Sequence, residues 1–364
     1  MPLRTGLAAQ LTSPVTETTF GVAPSLATAK FSAFKSETLE LHKTVVQGIG
    51  LLSGKLYPQT VRRVFTNWGV DGTVTLDLPF RGLEQWLFPM FGSYGQTAAT
   101  LTQDLSTGAY VAYHSPGILE GNSFTMQKGV PAVDNGTVEP VTYVGCKISK
   151  WELSIATGQI AQLILTIDGR NELAGAGNSD PLNVSVPTLQ AYSAPPAGAV
   201  WHFRQATLYT GGTVSTATVN GSPVTTVASP TAAGNVLSAQ ITHTVPLDAA
   251  RYFLGGAGFK SEQLQNDLRE ISGQFVIEWL SSEAMYNAFA ADTATALQLQ
   301  FLGPGIGSGS DKATFNLLLP DVYLNAAPVT VRGPEPVQQT IPFIALDDGA
   351  NNPIQATYWT LDST

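Results

Sequence analysis

Two stretches decide the fold: Gly72-Thr-Val-Thr-Leu-Asp-Leu78 and Gly273-Gln-Phe-Val-Ile-Glu-Trp279. Each opens on a glycine and runs as an alternating strand into an acidic residue, which sets one face on a core and the other toward polar surroundings. Each then leads into a short apolar stretch that closes on phenylalanine. Leu83, Trp86, Leu87 and Phe91 follow the first, and Ala284, Met285, Ala288 and Phe289 follow the second. From Gly72 to Gly273 is 201 residues, too long for a solenoid period and suited to a duplicated domain.

The pattern extends in both directions. Pro79 ends the first strand, Leu83 to Met90 follow at helical spacing, and Pro89 holds that helix to about two turns. Ser281 or Ser282 stands where the second helix needs its cap. Upstream, Leu39 and Leu41 alternate with Glu40 and His42, and Val236 to Val245 reads as a strand in the place that Leu39 to Val46 or Gly48 to Leu52 holds in the first half. Ala109 to Tyr113 and Ser123 to Gln127 read as short strands, with a turn at Asp134-Asn135-Gly136. Val144 to Ile155 and Gln162 to Ile167 are strands, with Asp168-Gly169 as a turn. Leu297 to Leu302, Thr314 to Leu319 and Thr340 to Gly349 replay that order.

The expected organisation is therefore mainly β, with two tandem β-sandwich or barrel domains, each flanked by a short helix. Residues 1–35 lack core periodicity and read as an N-terminal arm, 36–170 as the first domain, 171–200 as a Gly/Ala/Ser/Pro-rich linker and 201–364 as the second domain. A Thr/Ser/Val/Gly run at about 211–234 reads as an exposed hairpin inserted in that second domain.

Composition narrows the function. Charged residues are 12 % of the chain, about half the usual share, so much of the exterior is uncharged and suited to being covered by neighbours. A net charge of -9 argues against a surface that grips nucleic acid, but not against one that nucleic acid slides past. The one cysteine, Cys146, excludes an intramolecular disulfide and reads as a small buried side chain in a strand. The N-terminal residues do not form a signal peptide, and no apolar run is long enough to span a membrane, so synthesis in the cytoplasm is expected.

No catalytic constellation emerges. His42, His114, His202 and His243 are far apart and lack ligand spacing. Gly303-Pro-Gly-Ile-Gly-Ser-Gly309 has no following Gly-Lys-Ser/Thr and reads as a loop. Asp347-Asp348-Gly349 lacks the alternating ligands of a calcium loop and reads as a turn. Of six tryptophans, Trp86, Trp151 and Trp279 fall at apolar positions of expected elements and read as core. No catalytic, cofactor-binding or metal-binding residue is assigned, and no enzyme is expected.

Several runs resemble one family. They are Phe124-Thr-Met-Gln-Lys-Gly129, Val141-Thr-Tyr-Val-Gly-Cys-Lys-Ile-Ser-Lys-Trp-Glu-Leu-Ser154, Leu165-Thr-Ile-Asp-Gly-Arg170, Thr19-Phe-Gly-Val-Ala-Pro24, Phe34 to Leu39, and Asn266-Asp-Leu-Arg-Glu-Ile-Ser-Gly273. Together they are similar to the major tail-tube proteins of long-tailed, siphovirus-type bacteriophages. The resemblance implies β-sandwich or barrel units that close into stacked rings, forming the virion channel for the genome. It implies partners too: further copies of the chain, a tape-measure protein, tail-tip and tail-terminator proteins, and DNA that passes without specific binding. Two tube units per chain then imply trimeric rings with pseudo-sixfold symmetry. The alternatives are a single-copy unit in true hexamers, or a glycan-binding β-sandwich suggested by the tryptophans and the Thr/Gly content.

Overall fold

The computed structural model describes residues 5–26, 29–92, 102–103, 108–133, 138–173, 188–189, 199–219, 222–280, 284–306, 310–331 and 333–361. The expected turn at Asp134-Asn135-Gly136, the cap at Ser281 or Ser282 and most of the linker lie outside these residues. The chain is mainly β, with two short α-helices among the described residues.

The first half contains β1 (Gln10–Leu11), β2 (Val15–Thr16), β3 (Lys30–Phe31), β4 (Ser36–Glu37), β5 (Glu40–Gln47) and β6 (Arg63–Asp77). Helix α1 (Glu84–Phe91) follows, then β7 (Thr102–Gln103), β8 (Tyr110–His114), β9 (Phe124–Pro131), β10 (Val138–Ala156), β11 (Gln162–Gly169) and β12 (Asn171–Leu173). The second half contains β13 (Thr188–Leu189), β14 (Ala206–Thr210), β15 (Thr213–Val219), β16 (Ser222–Ala228), β17 (Thr231–Ala232), β18 (Val236–Thr244) and β19 (Glu270–Glu278). It ends with α2 (Ala284–Ala290), β20 (Thr295–Gly305), β21 (Lys312–Leu324), β22 (Gln338–Ala345) and β23 (Gln355–Thr360).

One strand order occurs twice. In the first half β4 and β5 pair with β6, β6 with β11, β11 with β10, and β10 with β9, which also carries β1 and β2. In the second half β18 pairs with β19, β19 with β22, β22 with β21, β21 with β20, and β20 with β14. The long strands β10 and β21 each belong to two layers. Residues 138–146 of β10 pair with β9, and residues 147–154 pair with β11. Gly145, at φ +65°, lies at that corner, where a side chain would run into Arg170 and Phe20. The strands coil around a shared core as barrel strands do. The ladders themselves branch without closing, because β5 pairs with β6 alone among the described residues.

The glycines that open the two quoted stretches have a common physical cause. A Cβ on Gly72 would meet the Thr38 carbonyl oxygen at 2.5 Å, and one on Gly273 would meet the Gln240 carbonyl oxygen and the Phe343 ring. Thr38 and Gln240 occupy matching places on β4–β5 and β18, so both positions exclude side chains at one cross-strand contact. Gly72 also holds φ +153°, which L residues rarely adopt.

The core is continuous across both halves and includes Val74, Leu76, Trp86, Trp151, Leu163, Leu165, Trp201, Phe275, Phe301 and Phe343. The register sharpens one equivalence: Gln162–Gly169 matches Gln338–Ala345, two residues earlier than the pattern at Thr340 suggested.

Three expectations change. The N-terminal arm folds back on its own chain: β1 and β2 pair with β9, Leu11 and Leu26 are buried, and the Glu17 carboxylate accepts from Gly21 N, Ser123 Oγ, Thr125 Oγ1 and Gly145 N. Asp168-Gly169 is no turn, since both residues continue the β11–β6 ladder opposite Asp71 and Val70. The run at 211–234 does form a hairpin, β15–β16, but it is tied down through Thr225 and Pro223 to Asn352 and Gln355.

Candidate assembly interfaces

The two halves join through a β-ladder. Strand β10 pairs antiparallel with β18 from Lys150 opposite Thr244 to Ala156 opposite Ser238, making one sheet of the β4/β5–β6–β11–β10–β18–β19–β22 strands. Trp151 is the centre of this junction, 5.8 Å from Phe91 of α1 and 5.5 Å from His243 of β18. His243 is fully buried, and neither ring nitrogen has a hydrogen-bond partner among the described residues. Burial, together with the Arg269 charge, pulls its pKa down to about 3, so the ring is neutral.

Two further pieces of the second half reach back over the first. Residues 199–201 lie along the end of β6: Trp201 N donates to Leu78 O at 2.8 Å, Ala161 N donates to Trp201 O at 2.9 Å, and the buried indole packs on Phe80 at 4.2 Å. The connection between β18 and β19 crosses β6, β10 and β11. Trp68 N donates to Gly258 O, Tyr252 Oη donates to Trp68 O, Lys260 Nζ donates to Asp168 at 2.5 Å and Lys147 Nζ donates to Glu262 at 2.7 Å. Lys147 is buried and also donates to the Leu119 and Gln263 carbonyls. Burial lowers the Lys147 pKa and raises that of Asp168, and each partner charge opposes the shift.

The corresponding elements at the far ends lack such cover. The edge of β4–β5 is unpaired among the described residues, and β5 is largely exposed. At the other end, the segment after β21 occupies the place of the paired end of β10. There Pro328, Val329, Thr330 and Val331 are exposed, with no ladder among the described residues. A groove of about 590 Å³ lies beside it, lined by Trp279, Tyr286, Phe289 and Ala326 to Val329. Beyond β5 a hairpin arm carries the exposed apolar residues Ile49, Leu51, Leu56, Tyr57 and Val61. Such a density of unshielded apolar side chains marks a contact surface.

The polar face of the joined sheet is the third surface. Its cross-strand rows read Thr73–Thr166–Lys150–Thr244–Glu270, Thr75–Ile164–Glu152–Thr242–Ser272 and Asp77–Gln162–Ser154–Gln240–Gln274. Hydroxyls and amides dominate, and one lysine faces three carboxylates.

The residues singled out from sequence disperse as follows. Cys146 is buried, with its thiol pKa pushed up chiefly by burial. His114 pairs with Glu84 at 3.0 Å and His42 with Asp71 at 2.9 Å, while His202 caps a 3-10 turn. Gly303 packs under Trp201, and Asp347 and Asp348 close a turn onto Gly349 and Ala350. Trp86 and Trp151 are core, but Trp279 is not: it is half-buried and lines the groove, because α2 lacks the cover that α1 receives. Trp201, the first residue of the expected second domain, carries no local signal of the interlock it makes. Among the described residues no three His, Cys, Asp or Glu side chains converge as metal ligands, and no helix is long and apolar enough to cross a membrane.

The family model described as phage tail tube protein matches residues 13–345. No curated protein matches the chain. With edges that invite further strands and a match over nearly its whole length, this chain belongs to the phage tail tube protein family.

Proposed function

We propose that three copies of the chain close a ring with pseudo-sixfold symmetry, each copy supplying two of its six positions, and that stacked rings form the tube through which the genome passes. Family membership makes the protein a structural, self-assembling component of the virion tail with a non-enzymatic role. With the trimer go domain limits at 36–170 and 201–364, a linker at 171–200, and passage of DNA through the tube.

The observation that carries it is the β10–β18 ladder. It supplies within one chain the contact that a ring needs between chains, and the two halves leave one copy of each partner unused. Register transfers directly. Glu152 faces Thr242 and Ser154 faces Gln240 at the internal junction, so Pro328 of one copy faces Glu40 of the next, and Thr330 faces Thr38. Closure also removes the exposed edges that would otherwise template aggregation. The polar rows then face the channel, where few cations would hold a polyanion in transit. The apolar arm beyond β5 contacts the adjacent ring. Tape-measure, tail-tip and terminator proteins meet the ends of the stack, after synthesis in the host cytoplasm.

The test is a Thr38→Cys/Thr330→Cys variant, oxidised after assembly and run without reductant. Covalent species ending at the trimer are expected. A ladder reaching six chains, or no coupling in well-formed tubes, refutes the trimer.

A further inference from the structure

We propose that the groove of Trp279, Tyr286, Phe289 and Val329 receives residues Met1–Arg4 of an adjacent copy, with Arg4 set over the ring cluster. The proposal rests on the ring reading above and names a contact which that reading does not require.

The first half shows what such a groove is for. Leu78 and Trp279 occupy matching places after β6 and β19: Leu78 N donates to Ala161 O, and Trp279 N donates to Val337 O at 2.8 Å. In the first half the Leu78 carbonyl and the Ala161 N–H are both taken by the backbone of Trp201, whose side chain is fully buried. In the second half the equivalent pair, the Trp279 carbonyl and the Val337 N–H, has no backbone partner among the described residues. The place that the Trp201 segment fills in the first half thus carries no strand among the described residues of the second, and its free backbone pair suits one.

Register identifies the segment. Leu11 faces Lys128, which faces Val141, while Leu208 faces Leu299, which faces Leu317. Leu11 and Leu208 are thus equivalent, which aligns Thr5 with His202. These two residues hold the same office, each standing immediately before a 3-10 turn, Gly6–Ala8 or Phe203–Gln205. Stepping back from that pair, Arg4 takes the place of Trp201 and Leu3 that of Val200, which bridges Pro79. Within one chain the second half's lead-in fills the first half's groove, so the second half's groove is left for the first half of another copy.

The chemistry suits the substitution of arginine for tryptophan. Trp279 and Tyr286 meet edge to face with centroids 6.5 Å apart, and the adjoining cavity of about 540 Å³ is lined by Glu335. A guanidinium stacks on indole and phenol faces and pairs with a carboxylate, where a second indole would have no charge to answer Glu335.

Two cysteine pairs separate this proposal from the ring itself. Leu3→Cys/Leu280→Cys places thiols where Val200 and Pro79 meet in the first half, and Thr38→Cys/Thr330→Cys reports the ladder. Cys146 is buried and does not compete. Both pairs are expected to couple chains in oxidised tubes. Coupling through Thr38/Thr330 alone overturns the groove assignment and leaves the ring standing, whereas failure of both overturns the two together. As an independent readout, Arg4→Ala should raise the protein concentration needed for tube assembly on the order of threefold to tenfold. An unchanged threshold overturns the role given to Arg4.

Discussion

Replacing His243 by leucine should make the chain markedly less sensitive to acid. His243 is fully buried beside Trp151, its ring nitrogens have no partner among the described residues, and its folded pKa is about 3 against an ordinary value of 6.5. The unfolded chain therefore binds this proton more readily than the folded one, so the contribution is intact above about pH 6.5 and is lost as pH falls toward 3. Integrating between those values gives a loss of about 2 kcal/mol by pH 5 and about 3 kcal/mol by pH 4. Asp168, whose pKa burial raises, acts in the opposite sense and is common to both proteins. Leucine is the apt replacement because Leu41 holds the equivalent place on β5. Thermal unfolding of wild type and His243→Leu at pH 7.5 and pH 5 isolates the term. Wild type should lose about 2 kcal/mol more than the variant, roughly 4–8 °C in Tm for units of this size. Equal acid shifts in the two proteins would refute the assignment of a neutral, unpartnered ring at the junction.

Other expectations concern the interlock and the opening motif. Trp201→Ala should cost ~3–5 kcal/mol of stability in denaturant titration, because it empties a site sealed by Phe80, Leu78 and Ala161. Lys147→Ala should cost about 3–5 kcal/mol on the same measurement, since it removes the cation beside Glu262 and leaves two buried carbonyls without their donor. Gly273→Ala should destabilise by ~1–3 kcal/mol through collision with Gln240 and Phe343, visible as a lower melting temperature. Cys146 should resist thiol reagents in the folded protein and react once denaturant is added.

Much of the fold was legible because its signals are local. The alternation at Gly72 to Leu78 and Gly273 to Trp279, the Pro89-limited helix and the buried Cys146 each depend on residues close in sequence. What was not legible depends on partners far along the chain. Residues 10–16 carry too short a pattern to announce a strand, and only β9, more than a hundred residues later, gives them one. Asp168-Gly169 has the letters of a turn, but Lys260 and Val70 hold it extended. Trp279 sits at an apolar position of its pattern, but the pattern does not show that a groove lies over it. Of the candidate interfaces, the apolar residues of the arm beyond β5 carry no periodic pattern that announces them, since sequence does not show which loops project.

Strand β8 belongs to the first half, yet it pairs with β23 near the end of the described chain, and Gln355 donates its side-chain amide to the His114 carbonyl across 241 residues. The ribosome delivers β8 long before its partner. Until β23 emerges, the Tyr110–His114 strand has no ladder on that side, and β21 is likewise incomplete. A nascent or truncated chain would thus present a different, unfinished surface from the finished one. Strand β23 acts as a latch between β21 and β8, tying a strand of the second half to one of the first.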